Sequence, residues 1–189
     1  MNKHIYFVTT NKGKCEEVQK AFAHFDSSII IEQVSIELPE YQTTDLYAIA
    51  KGKAQAAFEQ LQKPVLVDDG GIYLTHYHEF PGTLAKQVYQ GIGLFGFWKL
   101  AQENPKGIFK AVLAYMDSPG NCIVVDGQVA GTFVQPKENF PASSLPYAEI
   151  FIPEGATKTL GELRMSAEGK RYLHRNIAIE KLVIELNKQ

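Results

Sequence analysis

The fold of this chain is decided by two stretches, Ile5-Tyr6-Phe7-Val8-Thr9-Thr10-Asn11-Lys12-Gly13-Lys14 and Pro64-Val65-Leu66-Val67-Asp68-Asp69-Gly70-Gly71. In each stretch a continuous apolar run, typical of a strand buried on both faces, leads into a polar turn. Ligands of an open α/β sheet bind at the carboxyl ends of its strands. One turn offers hydroxyls, an amide and an ammonium group, and the other offers two adjacent carboxylates. We therefore predict a phosphate cradle that faces a metal site.

The residues around these stretches alternate strands with helices. An apolar face with helical spacing runs through residues 12–25, and Ile29–Val34 forms a second strand. Thr44 or Asp45 is placed to cap a second helix, which ends before Pro64. The order strand–helix–strand–helix–strand predicts right-handed crossovers and a largely parallel core.

The rest of the chain is less regular. Residues 83–103 are predicted to be helical in two pieces, broken near Gly91–Gly96, and Asp126-Gly127 is a strong hairpin signal. The strands beside that hairpin predict a second, antiparallel lobe, roughly within residues 75–145. A C-terminal helix is expected to start near Ser166. The predicted fold class is α/β, with a mixed, elongated sheet and flanking helices, in one domain over residues 1–189.

The bulk composition is ordinary for a globular chain. Hydrophobic residues make up 45% and charged residues 21% of 189 residues, and the net charge is −2. This balance lacks the basic excess that nucleic-acid binding usually needs, and no apolar run approaches the ~18 residues of a membrane span. Cys15 and Cys122 form no C-x-x-C pair and are expected to be reduced thiols. The first residues lack the apolar core of a signal peptide, so we expect a cytoplasmic protein.

The first polar turn is a candidate phosphate site. Thr10 or Asn11 is placed to cap the helix that begins at Lys12, whose free amides and dipole attract anions. Lys14 adds a positive charge. Lys51, which has small neighbours on the second helix, would let a phosphate approach. A capped helix with solvated lysines remains the alternative.

The adjacent carboxylates of Asp68 and Asp69 are a candidate metal site. Mg²⁺ usually takes one or two protein carboxylates and shares substrate phosphates. Adjacent residues of an extended chain point to opposite sides, so one of the two is expected to face the ligand. Glu40, which also follows an extended segment, is the candidate second ligand. An Asp-Gly turn without a metal remains the alternative.

Three further patterns contain histidines or glycines at spacings found in binding sites. His174-Arg175 offers groups that hydrogen-bond or stack on a base, although a solvated pair within the last helix remains the alternative. Gly91–Gly96 matches G-x-G-x-x-G but follows no convincing strand. His76-Tyr77-His78-Glu79 lacks the further ligands that a zinc site needs. The last two patterns are therefore discounted.

An ordered set of motifs along nearly the whole chain resembles the inosine triphosphate pyrophosphatase family. The motifs are Thr9-Thr10-Asn11-x-x-Lys14-x-x-Glu17, Leu38-Pro39-Glu40-Tyr41-Gln42, Pro64-Val65-Leu66-Val67-Asp68-Asp69, Phe80-Pro81-Gly82, Phe151-Ile152-Pro153-Glu154-Gly155, Lys158-Thr159 and His174-Arg175. The resemblance implies a two-lobed α/β fold around a central cleft, commonly in a homodimer. It also implies Mg²⁺-assisted hydrolysis of ITP, dITP and XTP to the monophosphate and pyrophosphate.

The resemblance further implies roles for individual residues. Asp69, Lys14 and Asp68 would be catalytic, and Glu40 and Asp69 would hold Mg²⁺. The substrate would be bound by a larger set, Thr9, Asn11, Lys14, Lys51, Lys86, Tyr147, Lys170, His174 and Arg175. Within that set, His174 and Arg175 would face the purine, and the residues from Thr9 to Lys86 would face the phosphates.

The chain departs from the family pattern where the base is read. Ala148 stands where the family has Asp, Leu173 where it has Ser, and Gly169 where it has Lys, with Lys170 one residue later. Activity on a nucleoside triphosphate is therefore predicted, with a shifted base preference left open. A phosphatase of another small phosphorylated metabolite and a non-catalytic nucleotide-binding protein of the same fold remain the alternatives.

Overall fold

A computed structural model describes residues 3–138, 143–166 and 168–188 and contains a seven-stranded mixed sheet with flanking helices. The strands are β1 (Lys3–Val8), β2 (Ile29–Val34), β3 (Val65–Leu74), β4 (Pro81–Gly82), β5 (Lys106–Ser118), β6 (Asn121–Phe133) and β7 (Phe151–Pro153). The helices are α1 (Lys12–Phe25), α2 (Leu46–Leu61), α3 (Ala85–Ala101), α4 (Leu160–Leu163) and α5 (His174–Leu186), with short 3₁₀ turns at Pro146–Ile150 and Glu168–Tyr172. Among these described residues, no helix has the length and apolar character needed to cross a bilayer.

The sheet has the strand order β2-β1-β3-β5-β6-β7, with β4 paired to β3. Strand β1 pairs in parallel with both β2 and β3, and Phe7 lies opposite Leu66. Strands β4 and β7 pair antiparallel with β3 and β6. The predicted mixed α/β class is confirmed. Because of the parallel register, the turn that follows β1 lies beside the Asp68 segment of β3.

The chain divides into two compact units, and unit 1 contains the residues up to Gly70, Ala111–Gly127 and the residues from Arg175 onward. Its apolar residues form two clusters. One cluster joins β1, α1 and α5 and includes Leu66. The other packs α2 against the sheet and includes Val65 and Val67. Since alternate residues of β3 belong to different clusters, this strand is buried on both faces, as its continuous apolar run predicts.

Unit 2 contains Gly71–Lys110 and Gln128–His174 and has an aromatic core. Phe97 meets Phe133 edge-on at a centroid separation of 4.8 Å, and Phe109 lies 4.5 Å from Phe151. Helix α3 is kinked at Gly93, whose φ of 62° is outside the helical region. The prediction of a helix in two pieces is therefore confirmed.

Two turns were wrongly assigned from the sequence. Asp68–Gly71 is not a turn, because β3 continues to Leu74 and Gly71 leaves room for the Tyr73 ring beside the strand. Asp126-Gly127 is not the hairpin turn either, because β6 runs through it and the chain reverses at Pro119–Gly120. Gly120 has a φ of 82°, which favours glycine, whereas the Asp126 carbonyl accepts a hydrogen bond from Lys181 Nζ at 2.7 Å.

The last helix also begins later than predicted. It starts at His174 instead of near Ser166, since Glu168–Tyr172 forms a 3₁₀ turn first. The Ser166 hydroxyl accepts from the Gly169 amide at 3.1 Å and donates to the Leu163 carbonyl at 3.0 Å. Such local side-chain bonds compete with the α-helical pattern. His174-Arg175 therefore lies in the first turn of α5 and not in its interior.

Candidate active site

The turn after β1 is held by its own side chains. Asn11 is the N-cap of α1, and its Oδ1 accepts from the Lys14 amide at 3.1 Å. The Thr9 hydroxyl accepts from the Asn11 amide at 3.2 Å. These bonds fix the first turn of the helix, where the backbone amides and the helix dipole favour an anion. Of the two predicted caps, Asn11 rather than Thr10 fills the position.

Lys14 connects this turn to β3. Its Nζ donates to the Asp68 backbone carbonyl at 3.0 Å and lies 3.4 Å from Asp68 Oδ2. The Lys14 side chain keeps 20% of its exposure, whereas the Asp68 side chain has none. The ammonium group is therefore oriented by the strand and still accessible to a ligand.

Asp68 is the acceptor of a buried ion pair. Arg175 Nε donates to Asp68 Oδ2 at 2.6 Å, and Arg175 Nη1 donates to Glu17 Oε2 at 3.0 Å. Burial opposes the charge of Arg175, but the carboxylates of Asp68 and Glu17 outweigh it and raise the pKa of the guanidinium. Asp68 and Arg175 thus join β3 to α5 inside unit 1, and Glu17 joins α1 to the same network.

Asp69 points away from that network toward α2. Lys53 Nζ donates to Asp69 Oδ1 at 3.1 Å and lies 3.4 Å from Glu40 Oε2. The Asp69 side chain is 19% exposed and that of Glu40 is 83% exposed. Burial lowers the pKa of Lys53, but the two carboxylates outweigh this effect and raise it overall. The two predicted metal ligands therefore converge on one positive charge.

The donor set of Glu40 and Asp69 fits Mg²⁺. Both supply hard carboxylate oxygens, both keep access to solvent, and they already share one cation. The described residues contain no cluster of three or more His, Cys, Asp or Glu side chains that would form an all-protein metal cage. Mg²⁺ does not need such a cage, since it usually keeps waters and takes substrate phosphates as ligands.

Lys51 lies apart from this pair. Its side chain is exposed on α2, and its charge reaches Cys122, where burial raises the pKa of the thiol and Lys51 partly offsets that rise. Lys53, two residues later, makes the contacts at the carboxylates instead. Sequence reasoning missed Lys53, although it is three residues after Ala50 and four before Ala57, two fully buried residues on one face of α2.

Tyr147 and Lys86, predicted to bind substrate, belong to unit 2. The Tyr147 ring is buried and meets Phe97 edge-on at 4.8 Å, and its hydroxyl donates to the Ala85 carbonyl at 2.8 Å. Burial, aided by Tyr89, raises the pKa of this hydroxyl. Lys86 follows Ala85 in the first turn of α3 and is exposed.

The other base-reading candidates of unit 2 are close to Gly169 in the sequence. His174 is buried and meets Phe109 edge-on at 5.4 Å, whereas Lys170 is exposed. A Cβ atom at position 169 would overlap the backbone of Leu163, so no side chain fits there. Ala148 and Leu173, the other departures from the family pattern, are both buried in the apolar cluster of unit 2.

The discounted motifs have other structural roles. Gly91–Gly96 lies within α3 and not in a loop between a strand and a helix. The His76 ring contacts the Tyr77 ring at a tilt, with ring centroids 4.2 Å apart. Neither arrangement adds a nucleotide or zinc site to the carboxylates and ammonium groups described above.

Known proteins are similar to this chain in both sequence and fold. A sequence model of the Ham1 family matches residues 5–185. The dITP/XTP pyrophosphatase of Methanopyrus kandleri is 32% identical over 179 residues, which cover 94% of this chain and 93% of that protein. The dITP/XTP pyrophosphatase of Thermococcus kodakarensis is 33% identical over 175 residues, covering 92% and 91%.

Solved structures agree on the fold. The HAM1 protein from Coxiella burnetii superposes with a TM-score of 0.77 at 20% identity, covering 99% of this chain and 100% of that chain. The Staphylococcus aureus Ham1 protein gives a TM-score of 0.74, also at 20% identity, over 98% and 99%. With a family match over residues 5–185 and relatives above 30% identity along nearly the whole chain, this protein belongs to the Ham1 family.

Proposed function

We propose that this chain hydrolyses deaminated purine nucleoside triphosphates, namely ITP, dITP and XTP, to the monophosphate and pyrophosphate with Mg²⁺. The observation that carries the proposal is the convergence of Glu40 and Asp69 on a single cation. It occurs next to Asp68, which orients Lys14 at the capped start of α1. The names of the relatives, dITP/XTP pyrophosphatases, supply the substrate class.

In unit 1 the positively charged groups would bind the phosphates and the carboxylates would bind the metal. The Asn11-capped helix start and Lys14 would hold the triphosphate, with Thr9 fixing the turn and Lys51 adding a further ammonium group. Glu40 and Asp69 would hold Mg²⁺, which when bound supplies charge neutralisation on the phosphate oxygens. Without cations, the carboxylates would repel the substrate.

The chemical step would be attack of water on the α-phosphorus. Asp69, the accessible member of the Asp68-Asp69 pair, would orient the water and accept its proton. A new phosphorus–oxygen bond forms, the bond between the α-phosphorus and the bridging oxygen breaks, and pyrophosphate leaves. Lys14 would offset the charge that develops on the phosphates. The base-reading roles of Tyr147, Lys170, His174 and Arg175 stay predictions, as does the phosphate-binding role of Lys86.

Product analysis tests the proposal. The purified protein with Mg²⁺ is offered ITP, XTP, dITP, GTP, ATP and dUTP, and pyrophosphate and orthophosphate are followed separately. Pyrophosphate from ITP or XTP well above that from ATP is expected. Release of orthophosphate would indicate a different phosphatase, and tight binding without product would indicate a nucleotide-binding protein.

We also propose that the protein is a homodimer in the cytoplasm. Leu84, Ile92 and Phe95 are large apolar residues about half exposed, at or within α3, and such residues are typical of a protein interface. Cys15 and Cys122 are free thiols, as expected in a reducing compartment. Light scattering during gel filtration, with Phe95→Lys as the variant, tests the dimer.

A further inference from the structure

Among the residues that the structure describes, Lys53 is the only basic residue whose side chain contacts both predicted metal ligands. Its Nζ lies 3.1 Å from Asp69 Oδ1 and 3.4 Å from Glu40 Oε2. The Lys53 side chain is only 15% exposed, so its ammonium group is confined beside them.

The two carboxylates need a positive charge to converge. Like charges a few ångströms apart repel each other, and Glu40, with 83% of its side chain exposed, is otherwise free to turn into solvent. The backbone of this segment is brought to α2 by Tyr41, whose ring packs where a side chain at Gly52 would lie. Tyr41 thus anchors the segment against α2, and Lys53 holds the Glu40 carboxylate close to that of Asp69.

A divalent cation would need the same oxygens. Mg²⁺ binds carboxylate oxygens at about 2.0–2.1 Å and tolerates little distortion. An ammonium group 3.1 Å from one ligand oxygen and 3.4 Å from the other would then lie within a few ångströms of a doubly charged ion. Because that repulsion is strong in a partly buried site, the ammonium group and the metal compete for the two carboxylates in the present arrangement.

We infer that Lys53 is the resident counter-ion of the carboxylate pair and that a divalent cation must displace it to bind. The inference rests on the proposed function, because it concerns the metal site of that reaction. The flexible four-carbon stem of lysine allows the ammonium group to leave the carboxylates without a change in the backbone. The metal-free site is therefore kept assembled at a cost to metal affinity.

Metal binding in the absence of nucleotide tests the inference directly. Free and bound Mn²⁺ are distinguished by electron paramagnetic resonance for the wild type, Lys53→Met, Lys53→Gln and Lys53→Arg. Loss of the competing charge should tighten Mn²⁺ binding at least about tenfold in both neutral variants. Lys53→Arg keeps the charge and should bind Mn²⁺ like the wild type. Lys20→Met, on the exposed side of α1, is the matched control for net charge and should leave the Mn²⁺ affinity unchanged.

The outcomes separate this inference from the proposed function. Equal or weaker Mn²⁺ binding by both neutral variants would overturn the counter-ion role, and so would the absence of Mn²⁺ binding in every variant. Pyrophosphate release from ITP by the wild type is measured in parallel. If that release is absent while the neutral variants bind Mn²⁺ more tightly, the proposed function fails and the counter-ion role stands.

Discussion

Asp68 and Asp69 are adjacent residues with opposite surroundings. On an extended strand neighbouring side chains point to opposite faces, so the Asp68 carboxylate enters the interior of unit 1 and that of Asp69 stays accessible. Asp68 is fully buried and is neutralised by Arg175 and Lys14. The strand thus places one carboxylate in a buried ion-pair network and leaves the other accessible to a ligand.

Asp69→Asn tests the proposed catalytic role of the accessible carboxylate. The amide keeps the shape but accepts no proton and binds a metal weakly, so turnover of ITP should fall at least ~100-fold. Steady-state pyrophosphate release measures the effect. Asp26→Asn, at the C-cap of α1, is the matched control and should retain full turnover. Near-normal turnover by Asp69→Asn would remove this residue from the mechanism.

Arg175→Met tests whether the buried ion pairs of Asp68 and Glu17 stabilise the fold. It leaves the carboxylates of Asp68 and Glu17 buried without their guanidinium partner, which should lower the free energy of unfolding by about 3–5 kcal/mol. Urea denaturation gives the value. Arg171→Met, at an exposed arginine, should cost less than about 1 kcal/mol. Equal losses in the two variants would show that the buried network adds no stability.

Residue types were easier to predict from the sequence than contacts. Glu40 and Asp69 are both predicted metal ligands, and in the structure their carboxylates contact the same Lys53 ammonium group. Lys53, whose ammonium group contacts both carboxylates, was not predicted, and the phosphate-binding role of Lys51 stays a prediction. Lys51 and Lys53 have the same chemistry, but Lys51 is exposed on α2 whereas the Lys53 ammonium group reaches Asp69 of β3.

At the scale of elements, strong local signals gave accurate bounds. Residues 12–25 and Ile29–Val34 are a helix and a strand with the predicted limits, since capping by Asn11 and an apolar periodicity agree there. Turn signals misled because two were in competition. Pro119-Gly120 and Asp126-Gly127 both favour a reversal, and tertiary contacts, such as that of Lys181 with Asp126, decide between them.

The two capped helices offer a matched comparison at this scale. Asn11 caps α1 and Asp45 caps α2, so replacing either by Ala should cost about 1 kcal/mol of stability. Only Asn11→Ala should also raise the KM for ITP, because the start of α1 is the proposed phosphate cradle. Steady-state kinetics and urea denaturation of both variants measure the two effects. A rise in KM for Asp45→Ala as well would mean that the cap acts through general stability.

At the scale of the whole molecule, the chain passes between its two units four times, and each passage lies inside a regular element. Three fall within β3, β5 and β6, and the fourth lies between His174 and Arg175 in α5. Each unit is therefore assembled from separated segments. The core of each unit includes residues from segments that β3, β5, β6 or α5 connects to the other unit.

This shared construction predicts a single cooperative unfolding transition. Trp98, the sole tryptophan, reports on unit 2, and the thiol of buried Cys15 reports on unit 1 once Cys122→Ser removes the other thiol. Because unfolding either unit breaks strands of the other, tryptophan fluorescence and thiol labelling should give the same midpoint in urea. Two separated midpoints would mean that the units unfold independently.

The position of α5 also matters during synthesis. Ala178, Ile179 and Leu182 close the apolar cluster of β1 and α1, yet α5 begins 100 residues after β3 ends (174 − 74). A ribosome that adds ~5–20 residues per second needs about 5–20 s to cover that distance. Throughout that interval the nascent chain carries an uncovered apolar sheet face, which makes it a client for chaperones before it is an enzyme.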